Sequence, residues 1–161
     1  MRRKAEARPI ILELPGKAPV TLTHLVLDFT GALSLDGRML PGVARRLKKL
    51  AKRVRITVMT ADTFGTAGEA LEWLPVIVWV VDAGEKKATY VAKLGAENVV
   101  AVGNGRNDVA MLTVAALGIA VIGPEGAAGD LVRVAKVVVR DINDALDLLL
   151  HPIRLKATLR D

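Results

Sequence analysis

The chain has 161 residues, with no cysteine, two histidines, and 23 basic against 17 acidic residues for a net charge of +6. Disulfides and thiolate metal sites are excluded, and with only His24 and His151, far apart in sequence, a zinc site is not expected; a metal here should be a hard cation held by oxygens, which points to Mg²⁺. No apolar stretch approaches the ~20 residues that cross a bilayer, and Met1-Arg2-Arg3-Lys4 leads into no apolar signal core, so the expectation is a cytoplasmic protein with no membrane partner and a single domain over residues 1–161.

In chain order, residues 1–8 read as a tail that is mobile or docks on a neighbour. Ile10–Leu14 and Val20–Phe29 read as two strands of an N-terminal hairpin turned at Pro15-Gly16-Lys17. The second delivers Asp28 from the apolar run Leu25-Val26-Leu27 into the turn sequence Phe29-Thr30-Gly31-Ala32-Leu33. A carboxylate just beyond the carboxyl end of a buried strand stands where open α/β sheets bind ligands, although a lone aspartate there also serves as a turn former or helix cap. A small hairpin is expected around Ser34-Leu35-Asp36-Gly37. Pro41 then opens a helix with Val43, Leu47, Leu50 and Ala51 at helical spacing, and Arg45, Arg46, Lys48, Lys49, Lys52, Arg53 and Arg55 fall on its outer side or just after it. This basic stretch, 43–54, is a solvated face or an anion-binding surface; five aromatic residues in the whole chain are too few for a nucleic-acid stacking platform.

Strands and helices alternate from there: strand 55–60 ending at Thr60, helix 64–73, strand 76–81, helix 85–94 opened by Lys86-Lys87, and strand 98–102 running into Gly103-Asn104-Gly105-Arg106-Asn107-Asp108. Helix 107–116, strand 118–122, helix 125–134, strand 136–140 and helix 142–150 follow, the last capped by Asp141 and ended by Pro152, with 154–161 as a second tail. Short connections with this alternation imply right-handed crossovers and a mainly parallel sheet, so the expected fold is α/β, a three-layer α/β/α sandwich. Gly103-Asn104-Gly105 alone could open a dinucleotide fingerprint, but Asp108 stands where its third glycine belongs.

Asp28, Thr60, Lys87 and the 103–108 loop, continued by Met111-Leu112, come in the order of the haloacid dehalogenase-like superfamily, which the chain resembles over about residues 23–123. Asp28-Phe29-Thr30-Gly31-Ala32-Leu33 looks like the phosphorylation motif of P-type ATPases, and the similarity is nearest to small prokaryotic proteins described as soluble and P-type ATPase-like. The intervals between Asp28, Thr60 and Lys87 are too short for a cap domain, so the resemblance is to capless members with a Rossmannoid sheet.

The resemblance implies a phosphatase in which Asp28 attacks phosphorus to form an aspartyl-phosphate. It implies that Asp28, the Thr30 backbone carbonyl and Asn104 hold Mg²⁺, with Asp108 helping directly or through water. Thr60 would donate its hydroxyl to the phosphoryl group, Gly31 or Ala61 an amide, and Asn107 would touch phosphate. Lys87, rather than Lys86 or Lys93, would be the balancing cation, because it stands seven residues before Leu94 as in the family's third motif. The implied substrate is a small phosphorylated compound, and an uncapped site implies a protein partner or a homo-oligomer as cover. Two departures stand out. Thr30 takes the place of the second aspartate of the phosphatases, and a hydroxyl has no suitable pKa for acid–base work, so slow turnover and activated phosphates are expected. Asn104 replaces a charged ligand and should weaken Mg²⁺ binding. The competing expectation is a regulatory module that binds Mg²⁺ or phosphate without turnover and works through its basic helix.

Overall fold

The computed structural model describes residues 8–161. Ile10–Leu12 (β1) and Val20–Leu22 (β2) pair antiparallel as a separate hairpin, with Ile10 opposite Leu22. His24–Leu27 (β3) then enters the main sheet; Ser34–Leu35 (β4) and Arg38–Met39 (β5) form a second small hairpin. The remaining strands are Arg55–Thr60 (β6), Ile77–Val80 (β7), Val99–Gly103 (β8), Leu117–Val121 (β9) and Val137–Val139 (β10). Together with β3 they make a six-stranded parallel sheet in the order β10-β9-β8-β3-β6-β7.

The helices are Val43–Leu50 (α1), Ala67–Leu71 (α2), Gly84–Leu94 (α3), Val109–Val114 (α4), Gly129–Val134 (α5), Ile142–Leu150 (α6) and Pro152–Leu159 (α7). They divide between the two faces because alternate side chains of a strand point to opposite sides. Leu25 and Leu27 join a core with Val43, Leu47 and Leu50 of α1 and Ile142, Leu146 and Leu149 of α6. Val26 points the other way, into a core with Val91 of α3, Met111 and Leu112 of α4, and Leu131 of α5. Leu25, Val26 and Leu27 are fully buried, so β3 is central in both directions and its end is a rigid platform.

Register sets the site. Leu27 pairs with Val58 on one side and Val102 on the other, which brings the ends of β3, β6 and β8 to one level. Asp28 continues that ladder by donating its N–H to the Val102 carbonyl at 3.0 Å.

Three expectations are corrected. The strand expected over Val20–Phe29 is broken at Thr23, because β2 belongs to the hairpin while β3 lies between β6 and β8; Thr23 makes the crossing, its N–H bonded to Asn98 O and its carbonyl to Arg55 N, both at 2.9 Å. The helix expected from 125 starts only at Gly129, since Gly123 and Gly126 adopt positive φ and hold 123–128 as a loop. The tail expected from Arg154 is mostly α7: Pro152 both stops α6 and occupies the first turn of α7, and fully buried Leu155 packs into the core. Of the tail expected over 1–8, residues 1–7 lie outside the described residues, and the Arg8 carbonyl accepts from Arg53 Nε at 2.6 Å. No helix among the described residues is long and apolar enough to cross a membrane, and no domain is inserted in the sheet connections.

Candidate active site

The turn after β3 is built around one carbonyl. Phe29 O accepts from the N–H groups of Ala32, Leu33 and Ser34 at 3.3, 3.0 and 3.1 Å and from Ser34 Oγ at 3.0 Å, while the Phe29 ring is buried in the core. Gly31 follows at φ +77, and a Cβ there would collide with the Asn104 side chain, so only glycine fits between the two loops. This fixes Asp28, whose Oδ1 accepts from Phe29 N–H at 2.9 Å and from Lys87 Nζ at 3.3 Å.

Lys87 comes from the first turn of α3 and is fully buried. Its ammonium also donates to Asp108 Oδ1 at 2.9 Å. Asp108, equally buried, uses Oδ2 to accept from the N–H groups of Asn104 and Gly105 at 3.2 and 3.1 Å, and so ties the end of β8 to the start of the short 3-10 turn Arg106–Asp108. Lys87 therefore bridges two carboxylates brought from different loops.

In front of this bridge lies a cavity of about 210 Å³, walled by Asp28, Thr30, Thr60, Ala61, Thr63, Asn104, Gly105, Asn107 and Glu125. Thr60 is buried; its Oγ1 accepts from Asp62 N–H at 3.0 Å, which leaves the hydroxyl hydrogen free to donate. Of the residues expected at the site, Asp28, Thr30, Thr60, Asn104 and Asn107 line the cavity together with Gly105 and Ala61. Lys87 and Asp108 lie behind it. Asp108, expected to help hold the metal directly or through water, has both oxygens engaged by Lys87 and by two amides and does not itself line the cavity.

One ammonium between two buried carboxylates leaves an excess negative charge. Burial first, then repulsion from Asp108, push the Asp28 carboxyl up to about 8, against the pull of Lys87. For Lys87, burial disfavours the charge, but Asp108 and Asp28 outweigh it and hold its pKa above the ordinary value, so it stays protonated. The excess charge is balanced by a proton on Asp28 or by an added cation. The donors present suit a hard cation: the Asp28 carboxylate, the Thr30 carbonyl and Asn104 Oδ1, a buried oxygen without a hydrogen-bond partner whose amide is oriented by an Nδ2 bond to Gly126 O at 3.1 Å. Among the described residues no three acidic or histidine side chains gather for a metal, so such a set carries few charges and relies on neutral oxygens and water.

Thr63 and Glu125 were not singled out by the sequence pattern. Glu125 sits in the 123–128 loop, and its Oε2 accepts from Asp36 N–H of the β4–β5 hairpin at 3.3 Å. The breaker pair Gly123-Pro124 with Gly126 close behind signals a loop rather than a helix start, and would have placed Glu125 beyond the end of β9.

The basic stretch on α1 is partly committed elsewhere. Arg46 forms a two-pronged ion pair with Asp147 of α6 at 2.7 and 3.0 Å, Arg53 holds the Arg8 and Pro9 carbonyls, and Lys48 lies over the Trp73 ring at 4.5 Å. Arg45, Lys49, Lys52 and Arg55 remain exposed.

Residues 46–145 match the family model described as haloacid dehalogenase-like hydrolase. The matched span holds Thr60, Lys87, Asn104 and Asp108 and begins after Asp28. The uncharacterized protein MJ0073 of Methanocaldococcus jannaschii is 55% identical over 65 residues, which are 40% of this chain and 70% of that protein. The cobalt-bound deoxy-D-mannose-octulosonate 8-phosphate phosphatase of Haemophilus influenzae superposes with a TM-score of 0.70 at 13% identity, over 85% of this chain and 92% of that one. The 3-deoxy-D-manno-octulosonate 8-phosphate phosphatase of Moraxella catarrhalis, in complex with magnesium, phosphate and KDO, gives a TM-score of 0.62 at 15% identity, over 85% and 90%. At these identities the two structures establish the fold of the chain.

Proposed function

We infer that this chain, which belongs to the haloacid dehalogenase-like hydrolase family, is a Mg²⁺-dependent phosphohydrolase that works through an aspartyl-phosphate on Asp28. The observation that carries this reading is the bridge of Lys87 to both Asp28 and Asp108 at the back of a cavity that Thr30, Thr60, Asn104 and Asn107 wall from the front.

Asp28 Oδ1 takes both hydrogen bonds of that carboxylate, which leaves Oδ2 for attack in line on a phosphoryl group in the cavity. Thr60 donates its hydroxyl to a phosphoryl oxygen, with the Ala61 amide and the Asn107 side chain as further donors from two sides. Lys87 holds the Asp28 carboxylate in one rotamer and offsets negative charge without touching solvent. Asp108 fixes Lys87 and the backbone of Asn104 and Gly105. Asp28, the Thr30 carbonyl and Asn104 would hold Mg²⁺, which when bound would supply charge neutralisation for the transferring group.

Thr30 and Asn104 support a slow enzyme with a preference for activated phosphates. The cavity opens at the carboxyl ends of the strands with no domain above it among the described residues, which favours cover from a second copy of the chain or a protein partner; the exposed apolar Ile77, Trp79 and Val80 of edge strand β7 offer a copy somewhere to rest.

The test is incubation with Mg²⁺ and acetyl phosphate followed by mass spectrometry. One added phosphoryl group mapped to Asp28, and absent from Asp28→Asn, is expected. An unmodified chain with acetyl phosphate, ATP and a panel of phosphate esters would leave the fold as a binding module.

A further inference from the structure

We propose that Glu125 is the acid–base residue of this site, a role that rests on the reading of Asp28 as nucleophile. The walls of the cavity contain two carboxyl groups, Asp28 and Glu125. If Asp28 is occupied with phosphorus, a second group has to protonate a poor leaving group and later activate water, and Thr30 has no suitable pKa for either step. Asp62 is near in sequence to Thr60 but does not wall the cavity, and its Oδ1 is taken by Ala67 N–H at 2.9 Å at the start of α2.

The loop that carries Glu125 is pinned on the site from both sides. Gly123 adopts φ +54 and lies so close to the nucleophile turn that a Cβ would stand 3.3 Å from Gly31 O; its N–H is anchored on Arg140 O at 3.0 Å. On the other side, Gly126 O accepts from Asn104 Nδ2 at 3.1 Å and Ala128 N–H donates to Asn104 O at 2.8 Å. Between these anchors, the exposed Glu125 side chain spans toward the β4–β5 hairpin and holds Asp36 N–H at 3.3 Å, the long end of the hydrogen-bond range. A rigid loop with a loosely held carboxyl at its tip can present that carboxyl to a bound substrate.

The two steps balance. In the first, Asp28 Oδ2 forms a bond to phosphorus as the bond from phosphorus to the leaving oxygen breaks, and the Glu125 carboxyl gives its proton to that oxygen. In the second, the Glu125 carboxylate takes a proton from water as the water oxygen bonds to phosphorus; the bond from phosphorus to Asp28 breaks, and phosphate, free Asp28 and protonated Glu125 result.

Glu125→Gln tests this while keeping an acceptor for Asp36 N–H. Acetyl phosphate releases acetate, which needs no proton, so Glu125→Gln should form the phosphoenzyme from it at nearly the wild-type rate. Hydrolysis of that phosphoenzyme, and its formation from an alkyl phosphate, should each fall by about 10²-fold or more. Thr30→Asp in the Glu125→Gln background should restore part of the alkyl phosphate reaction. Equal loss with both donors, or no loss with either, overturns the role of Glu125 and leaves Asp28 standing. A wild-type chain that forms no phosphoenzyme from any donor overturns the reading of Asp28 and this inference with it.

Discussion

Lys87 Nζ meets Asp108 Oδ1 at 2.9 Å with neither side chain exposed to solvent, and the same nitrogen reaches Asp28 Oδ1 at 3.3 Å. A buried charge is tolerable only while its partners are present. Lys87→Met should therefore cost about 3–5 kcal/mol in urea denaturation, because it strands two buried carboxylates. Lys86, one residue earlier and paired with Asp82 at 2.8 Å in full view of solvent, is the control: Lys86→Met should leave the midpoint where it is. Similar midpoints for the two variants would show that the Lys87 bridge does not support the fold.

Asp28 sets a pH dependence with a definite sign. Its carboxyl is raised to about 8 in the folded chain, chiefly by burial and by Asp108, so the folded state keeps a proton that the unfolded chain releases in the ordinary carboxylate range. That contribution to stability is complete at low pH and is lost as pH rises through about 8. Asp28→Asn has no proton to lose. In metal-free buffer it should be more stable than wild type by about 1–3 kcal/mol at pH 9, with the difference closing toward pH 4. Parallel stability curves for the two chains across this range would contradict the raised carboxyl.

Thr30 lines the cavity beside Asp28 but brings no acid. Thr30→Asp should raise steady-state hydrolysis of a phosphomonoester modestly in the wild-type chain, where it adds a carboxyl to the one Glu125 supplies, and by about 10-fold or more in Glu125→Gln, since a missing general acid commonly costs ~10² to 10⁴. A purified-enzyme assay with no gain would remove position 30 from the proton path.

Asn104 Oδ1 is buried without a partner, while Nδ2 is spent on Gly126 O. Asn104→Asp adds a charge to the oxygen side and gives up the Gly126 bond on the other. The charge should win for a divalent cation, with Mg²⁺ affinity rising by about tenfold in titration calorimetry. Unchanged affinity would take Asn104 out of the cation's shell.

Much of this is legible in the amino-acid sequence. The parallel α/β layering follows from alternation of short apolar runs with amphipathic helices, and Asp28, Thr60 and the 103–108 loop each stand at the end of a strand that the register brings to one level. Asn104 illustrates the limit of that reading: its residue type suggests a neutral ligand, but that one of its atoms is bonded to Gly126 and the other left open depends on a loop more than twenty positions away. The tail from Arg154 shows another limit, since Leu155 is helical and buried because the core offers it a place, and local composition holds no record of that place.

By itself, the sequence determined the class of fold and the strand-end positions of the polar residues, because strand and helix periods and residue chemistry are local properties of the chain. Tertiary structure alone decided that Lys87 bridges two carboxylates, that Asp108 supports rather than lines the cavity, and that Glu125 and Asp28 wall the same cavity. These depend on distances between segments far apart in sequence, which are set by how the layers pack and how loops close over the end of the sheet, and charge and burial at a site follow from those distances.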